Sequence, residues 1–149
     1  MNDVPGALIL TRRALKPAGL FLGSFMGAGS LATLRGCVSA SAGELMVARL
    51  HPQIDVRAAG DLLSRAGFAR PVTDADHVAA TYSSLPKLVS DLRANGLGNV
   101  LIQRLPVQRS EYLSWCRRFD AKREESGKVT EYFETIQMTG YCPESSAAK

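Results

Sequence analysis

The sequence predicts an α/β fold, because amphipathic helical segments alternate along it with runs of strand length. Apolar side chains recur at helical spacing over residues 55–66, and Gly67 ends this segment before a half-buried strand at residues 71–82. Upstream, a helix over residues 4–15 leads to a continuous apolar run, Leu20–Met26. Because such alternation is typical of the later part of an α/β domain, we expect the chain to begin in mid-domain.

The first helix and the first strand have clear local signals. Asp3 can accept hydrogen bonds from free backbone N–H groups, and Pro5 suits a first turn, where its missing donor costs nothing. The Leu20–Met26 run is apolar throughout, as expected of a central strand that is covered on both faces. Ser30 is a candidate cap for a second helix over residues 31–50.

The remaining elements follow from caps, stops and periodicity. Asp55 is the expected N-cap of the helix that Gly67 ends, and Asn95 with Gly96 closes a later helix. That helix is predicted over residues 85–94, a further helix over residues 110–123, and a final alternating strand over residues 129–141. Without repeats or a long linker, we expect one partial domain over residues 1–142 and a polar tail over residues 143–149.

Composition and charge exclude several classes of function. The 18 Lys and Arg residues against 14 Asp and Glu give a net charge of only +4, spread along the chain, and no aromatic stacking platform accompanies it, so we expect no nucleic-acid partner. Cys37, Cys116 and Cys142 are odd in number and far apart, which favours a reducing, cytoplasmic compartment. The longest apolar stretch is about half of the roughly 20 residues that a membrane span needs.

Several segments carry a resemblance to a known family. They are Asn2-Asp3-Val4-Pro5-Gly6, Arg13-Ala14-Leu15-Lys16-Pro17 followed by Gly19, and, most specifically, Asp55-Val56-Arg57, Ala59-Gly60, Leu62-Leu63 and Arg65-Ala66-Gly67-Phe68. These residues resemble class I S-adenosylmethionine-dependent methyltransferases, in the branch of the malonyl-carrier-protein methyltransferases and the methyltransferase-like assembly factor of respiratory complex I.

The resemblance implies the carboxy-terminal half of a Rossmann-like methyltransferase fold. Leu20–Met26 would be its fifth strand and residues 72–82 its sixth, in a mixed sheet with the closing strand, at residues 132–141, inserted antiparallel between them. The helices over residues 31–50, 85–94 and 110–123 would form a cap on the acceptor side.

The segments that carry the resemblance do not include the cofactor-binding residues of the family. Full-length relatives bind S-adenosylmethionine on a Gly-rich loop after the first strand and an acidic residue after the second, and both lie upstream of Asn2 in the family. The chain alone is therefore expected to bind no cofactor and to be inactive, with the missing amino-terminal half or a respiratory-complex subunit as its partner. The alternative is a non-catalytic interaction module built from the cap helices. The compartment would be the bacterial cytoplasm or, in a eukaryote, the mitochondrial matrix.

Candidate site residues follow from the same resemblance, which assigns no catalytic residue. Asn2 and Asp3 would lie at the end of the fourth strand, and Tyr112 and Trp115 on a cap helix, all four as acceptor-side contacts. The spacing of Tyr112, Trp115 and Phe119 is also typical of a helix face in the core. No metal site is expected, because His51 and His77 lack ligand partners at suitable spacing and the Asp74–Asp76 pair lies on an exposed strand.

Overall fold

A computed structural model describes residues 3–42, 49–98 and 105–144. Five helices and three strands fall within these residues: α1 Val4–Ala14, β1 Leu20–Met26, α2 Ala32–Ala42, α3 Val56–Arg65, β2 Ala69–Tyr82, α4 Leu85–Ala94, α5 Arg109–Asp120 and β3 Val129–Tyr141. The chain divides into two compact units. The first unit is Met1–Ala28, Gln53–His77 and Glu134–Lys149, and the second unit is Gly29–Pro52 and Val78–Phe133.

The sheet has three strands in the order β1-β3-β2. β3 pairs antiparallel with β1, with Leu20 opposite Tyr141 and Met26 opposite Thr135. This confirms the expectation that the closing strand lies antiparallel between the other two. Neighbouring strands are antiparallel throughout the described sheet. The described sheet is thus antiparallel and not mixed as the sequence predicted, since a parallel pair would need a further strand at the outer edge of β1 or of β2.

The core of the first unit lies on one face of the sheet. Its buried side chains come from α1, α3, the turn between α3 and β2, and β3: Leu8, Ala59, Leu63, Ala66, Phe68, Ile136 and Met138. The rings of Phe21 and Phe68 pack with their centroids 5.1 Å apart. Gly140 lies opposite Phe21, and a Cβ atom there would come within 2.9 Å of the Phe68 Cβ atom. The close approach of Phe68 to the sheet therefore requires glycine at that position.

Caps and stops in the first unit agree with the sequence signals. The Asp3 carboxylate accepts from the Gly6 N–H at 2.8 Å, and Asp55 accepts from the Ala58 N–H at 2.7 Å. Gly67 follows α3 with a φ of +85°, a left-handed angle that glycine adopts without a steric cost. These local signals explain why the predicted positions of both helices are confirmed.

The face of β1 that points away from the core is exposed, contrary to the expectation from the sequence. Its apolar sequence predicted a strand covered on both faces, yet Leu20 is 45 % exposed and Leu22 is 70 % exposed. The burial alternates along the strand because α1 and α3 cover only the face that carries Phe21 and Phe25. The apolar sequence of β1 predicts that both of its faces are buried, and the described residues bury only one of them.

The described residues of the second unit include three helices, with α5 packed against both α2 and α4. α4 has the predicted bounds, and Gly96 follows it with a φ of +71°. α5 ends three residues before the predicted position 123, because Lys122 N–H donates to Phe119 C=O at 3.0 Å and closes a tight final turn. The helix expected over residues 31–50 is described as far as Ala42, and residues 43–48 lie outside the described part. Across the described ranges, no helix is both long and apolar enough to cross a membrane.

Candidate functional site: a capped helix and a groove in the second unit

A buried carboxylate organises the start of α2. Glu131, on β3, is fully buried, and its two carboxylate oxygens accept hydrogen bonds from the backbone N–H groups of Thr33 at 3.1 Å and Leu34 at 2.9 Å. Amides in the first turn of a helix have no partner within the helix and carry the positive end of its dipole. Glu131 therefore acts as an N-terminal cap for α2 although it lies almost one hundred residues away in the sequence.

The backbone before α2 is tied to the same strand. Leu31 N–H donates to Tyr132 C=O at 2.8 Å, and the Leu31 side chain is buried. Leu31 has a φ of +58°, which is uncommon for a residue with a branched side chain and costs about 1 kcal/mol or more. The hydrogen bond to Tyr132 and the cap from Glu131 hold this turn in place. Together they fix the direction in which α2 leaves the strand.

A groove of about 630 Å³ lies beside this capped start, within the second unit. It is lined by small residues of α2, by a thiol and by two cations: Ala32, Thr33, Gly36, Cys37, Ala40, Arg118, Ala121 and Lys122. The Arg118 guanidinium donates to Cys37 C=O at 3.4 Å. In the part of the chain that the structure describes, neither Arg118 nor Lys122 forms an ion pair with a carboxylate. The groove thus has an apolar floor and a positively charged side.

Burial raises the pKa of several groups in the second unit. The pKa of the Cys37 thiol lies above its ordinary value of 9.0 because of burial and then the nearby Glu131 charge, while Arg118 and Lys122 oppose the increase. Burial also raises the pKa of the Cys116 thiol above 9.0, and the pKa values of the Tyr82 and Tyr112 hydroxyls above 10.0. All four groups are therefore held in the neutral form at neutral pH, and Cys37 and Cys116 are weak nucleophiles there.

These raised pKa values predict a loss of stability in alkali. Their stabilising contribution is fully present below the unfolded-state values of about 9 to 10, and is lost as the pH rises through the raised folded-state values. Urea unfolding, followed by the fluorescence of Trp115, should show a falling free energy of unfolding between about pH 8 and pH 11. Cys37→Ala should make this fall shallower. A free energy of unfolding that is flat or rises over the same interval would contradict the assignment.

The four residues that the sequence analysis named as acceptor-side contacts do not share one environment in the structure. Asn2 lies outside the described residues, and the Asp3 carboxylate is engaged in capping α1. Tyr112 and Trp115 lie together on α5, with ring centroids 6.5 Å apart in an edge-to-face arrangement. Trp115 is buried beside the fully buried Phe119, whereas Tyr112 is partly exposed. The structure thus places Trp115 in the core of the second unit, as the helical spacing also allowed.

The polar residues of β2 make contacts that the sequence did not indicate. The His77 Nε2 atom lies 3.4 Å from the Glu134 carboxylate on β3. The Gln137 amide donates to the Asp76 carboxylate at 2.8 Å, and Asp74 accepts from the Ala75 N–H. Among the described residues, no group of three or more His, Cys, Asp or Glu side chains is arranged to hold a metal ion. The His77–Glu134 and Asp76–Gln137 contacts join strands that are distant in sequence, so spacing along the chain does not predict them.

Glu131 is the functional feature that the sequence reasoning missed. In the sequence it is only one position of the alternating strand predicted over residues 129–141. The sequence nevertheless contained a signal for this burial. Glu131 lies two positions after the apolar Val129 on the same strand, so both side chains lie on the same face, and both are buried. An acidic residue at an inward position of a strand needs buried hydrogen-bond donors, and the start of a helix provides them.

Comparison with known proteins identifies relatives along the whole chain. No model of a known protein family matches it. The chain is 32 % identical to the mitochondrial arginine-hydroxylase NDUFAF5 of Danio rerio, over all of this chain and 48 % of that protein. It is 31 % identical to malonyl-[acyl-carrier protein] O-methyltransferase 1 of Coxiella burnetii, over 99 % of this chain and 51 % of that protein. Human NDUFAF5 is 29 % identical over all of this chain and 45 % of its own length.

The extent of these matches defines the relationship. The chain spans about half the length of the curated relatives that it matches. One relative is named as a hydroxylase and the other as an O-methyltransferase, so this chain is similar to proteins with different named reactions. The chain is therefore a half-length relative of the branch that contains NDUFAF5 and the malonyl-[acyl-carrier protein] O-methyltransferases.

Proposed function

We propose that this chain is the carboxy-terminal half of an S-adenosylmethionine-dependent methyltransferase domain, with the domain part over residues 1–142. The observation that carries the proposal is the whole-length similarity to about half of each relative. The strand order supports it, because β1, β2 and β3 correspond to the expected fifth, sixth and closing strands, with the closing strand between the other two. A further strand that runs parallel to β1 at its outer edge would make the sheet mixed.

In this proposal the two halves have separate tasks. The remaining half binds S-adenosylmethionine, and this chain binds none when it is alone and does not catalyse. The helices α2, α4 and α5 form the acceptor-side cap, with Tyr112 and Trp115 as candidate contacts and with Asn2 and Asp3 at the chain start. A respiratory subunit or the free carboxylate of a malonyl-carrier protein would be an acceptor of the kind that the branch suggests. The compartment would be a bacterial cytoplasm or a mitochondrial matrix.

Reconstitution tests this division of tasks. The chain would be co-expressed with the portion of the Coxiella burnetii relative that lies outside the matched residues. We expect the purified pair to bind S-adenosylmethionine at one site per pair, and the chain alone to bind none. The measurement is calorimetric titration of both samples. A one-to-one pair that is folded but binds no cofactor would contradict the proposal.

A matched variant tests the cap separately from the cofactor site. Tyr112→Phe keeps the partly exposed ring and removes only the hydroxyl. Because the proposal places Tyr112 on the acceptor side, this variant of the pair should keep the S-adenosylmethionine affinity and lower methyl transfer to a malonyl-carrier protein. A loss of cofactor affinity instead would contradict the placement of Tyr112.

The groove beside α2 favours a second candidate function, a non-catalytic interaction module. Its apolar floor and the cations Arg118 and Lys122 suit a protein segment that carries acidic side chains. The two candidate functions differ in whether the isolated chain should be a folded monomer and in whether the reconstituted pair should bind S-adenosylmethionine. A folded monomer whose reconstituted pair binds no S-adenosylmethionine would favour the module.

A further inference from the structure

Three segments that are distant in sequence meet at the end of the first unit where α1 and α3 finish. The Arg12 Nε atom lies 3.3 Å from the position that a Cβ atom on Gly67, just after α3, would take. The Cys142 C=O group, just after β3, accepts from Ala18 N–H at 3.1 Å. The Cys142 thiol also donates to Arg12 C=O at 3.8 Å. The end of α1, the turn after α3 and the end of β3 are therefore joined at one surface.

The only charges that these three segments carry are positive. They span residues 12–20, 64–73 and 138–143, contain no Asp or Glu, and contribute five cations, which together we call the basic end: Arg12, Arg13, Lys16, Arg65 and Arg70. Their number exceeds the net charge of +4 of the whole chain. Charges that are spread along the sequence are thus gathered at one end of the unit by the fold.

The cations of the basic end are available to an anionic partner. Four of them are exposed, and Arg12 is partly buried, with its Nε atom lacking a hydrogen-bond partner. Within residues 3–42, 49–98 and 105–144, none of the five forms an ion pair with a carboxylate. Asp61, one turn before Arg65, and Glu144, just beyond the third segment, are acids near them in the sequence. Neither acid neutralises the basic end by direct contact.

Stabilisation of helix ends explains only part of this charge. Arg12 and Arg13 lie in the last turn of α1, and Arg65 lies in the last turn of α3, where cations favour the helix dipole. Lys16 and Arg70 lie outside both helices. Arg70 has a φ of +52°, a left-handed angle that a residue with a long side chain adopts at a cost. The basic end therefore holds more charge than the two helix ends require.

Exposed apolar groups lie among the cations. Pro17 and Pro71 are exposed, and each directly follows one of the five cations. Tyr141, the last residue of β3, is 39 % exposed and directly precedes the third joining segment's Cys142. Lys and Arg attract anionic headgroups, and Tyr side chains favour the level of the headgroups in a bilayer. This combination suits the surface of a membrane.

We propose that the basic end binds the surface of a lipid bilayer that contains anionic phospholipids. The lipid phosphates pair with the cations, and Tyr141 and the two prolines lie at the level of the headgroups. The inference goes beyond the proposed function and does not depend on it. β1 begins at the basic end, so its carboxyl end, where α/β sheets bind their ligands, faces away from the bilayer.

A nucleic acid offers the same phosphate chemistry but fits the basic end less well. Proteins that bind single strands combine a basic groove with several aromatic rings on which the bases stack. In the three joined segments, Tyr141 is the exposed ring, because Phe68 is buried in the core. A bilayer requires no fitted groove, since its headgroups move to meet the cations.

The test is sedimentation of the full chain with lipid vesicles at low salt. One kind of vesicle is phosphatidylcholine alone, and the other contains about one-third phosphatidylglycerol as the anionic lipid. Two double variants each remove two charges from the basic end. They are Arg13→Gln with Lys16→Gln, and Arg65→Gln with Arg70→Gln.

The matched control removes two exposed cations from elsewhere in the chain. It is Arg57→Gln with Lys128→Gln, where Arg57 lies in the first turn of α3, at the opposite end of the helix from Arg65. The control has the same net charge as each double variant. Circular dichroism and the urea midpoint of every variant should match those of the parent chain.

We expect the parent chain to sediment with the anionic vesicles and not with phosphatidylcholine, and to be released as the salt rises to about 0.5 M. Each Lys or Arg near an anionic surface strengthens binding about fivefold, so each double variant should weaken it about tenfold or more. The control should keep the parent affinity within about twofold.

Several outcomes would overturn the proposal. They are equal binding to both kinds of vesicle, no binding to the anionic vesicles at low salt, and a control that loses as much affinity as the double variants. A short DNA duplex that removes the chain from the vesicles at equal phosphate concentration would assign the basic end to nucleic acid instead.

Discussion

Replacing Glu131 with alanine is expected to lower the free energy of unfolding by about 3–5 kcal/mol, the largest effect of any single polar substitution considered. The change leaves the N–H groups of Thr33 and Leu34 without their acceptor, and each hydrogen bond to a charged group contributes about 1.5–3 kcal/mol. It also removes the negative charge from the start of α2. Urea unfolding followed by Trp115 fluorescence measures the loss, because Trp115 lies in the same unit.

Two further variants separate the cap from general effects of charge. Glu131→Gln keeps one carbonyl acceptor but turns an amide donor towards the second N–H group, so we expect a loss between those of the parent and Glu131→Ala. Glu125→Ala removes an exposed carboxylate from the same unit and should change the free energy of unfolding by less than about 0.5 kcal/mol. A Glu131→Ala protein as stable as the Glu125→Ala protein would show that the cap contributes little.

Phe119→Ala is expected to lower the free energy of unfolding by about 3–5 kcal/mol as well, through a different mechanism. Phe119 is fully buried on α5, the helix that packs against both α2 and α4. Truncation removes buried apolar surface and leaves a cavity that the three helices can only partly fill. The same unfolding experiment measures it.

The control for Phe119 lies on the same helix. Leu113→Ala removes a side chain that is 46 % exposed, so the expected loss is below about 1 kcal/mol. Similar losses for the two variants would mean that α5 is not held by its Phe119 face. They would also weaken the assignment of Trp115 to the core, since Trp115 lies one turn before Phe119 on that helix.

Much of the secondary structure could be predicted because its signals are local. Gly67 and Gly96 mark helix ends through backbone angles that other residues avoid, and Asp3 and Asp55 cap helices through their own side chains. The bounds of β1 and β3 follow from apolar continuity and from alternation, which also depend only on neighbouring residues.

The contacts that build the site could not be predicted in this way. Glu131 bonds to Leu34 across 97 residues of sequence, and the groove joins α2 to the end of α5. The last turn of α5 is closed by the backbone hydrogen bond from Lys122 N–H to Phe119 C=O, and no side-chain pattern in the sequence predicts this bond. The resemblance indicated where β3 would insert, but it gave no information on which carboxylate would be buried or on what it would bind.

We propose that this chain is the half of a methyltransferase domain that does not bind the cofactor. The most direct test is a calorimetric titration of the folded, non-aggregated 149-residue chain with S-adenosylmethionine. We predict no saturable heat, because the residues assigned to the cofactor lie in the remaining half. Saturable binding near one site per chain would contradict the half-domain account and would place a cofactor site within these residues.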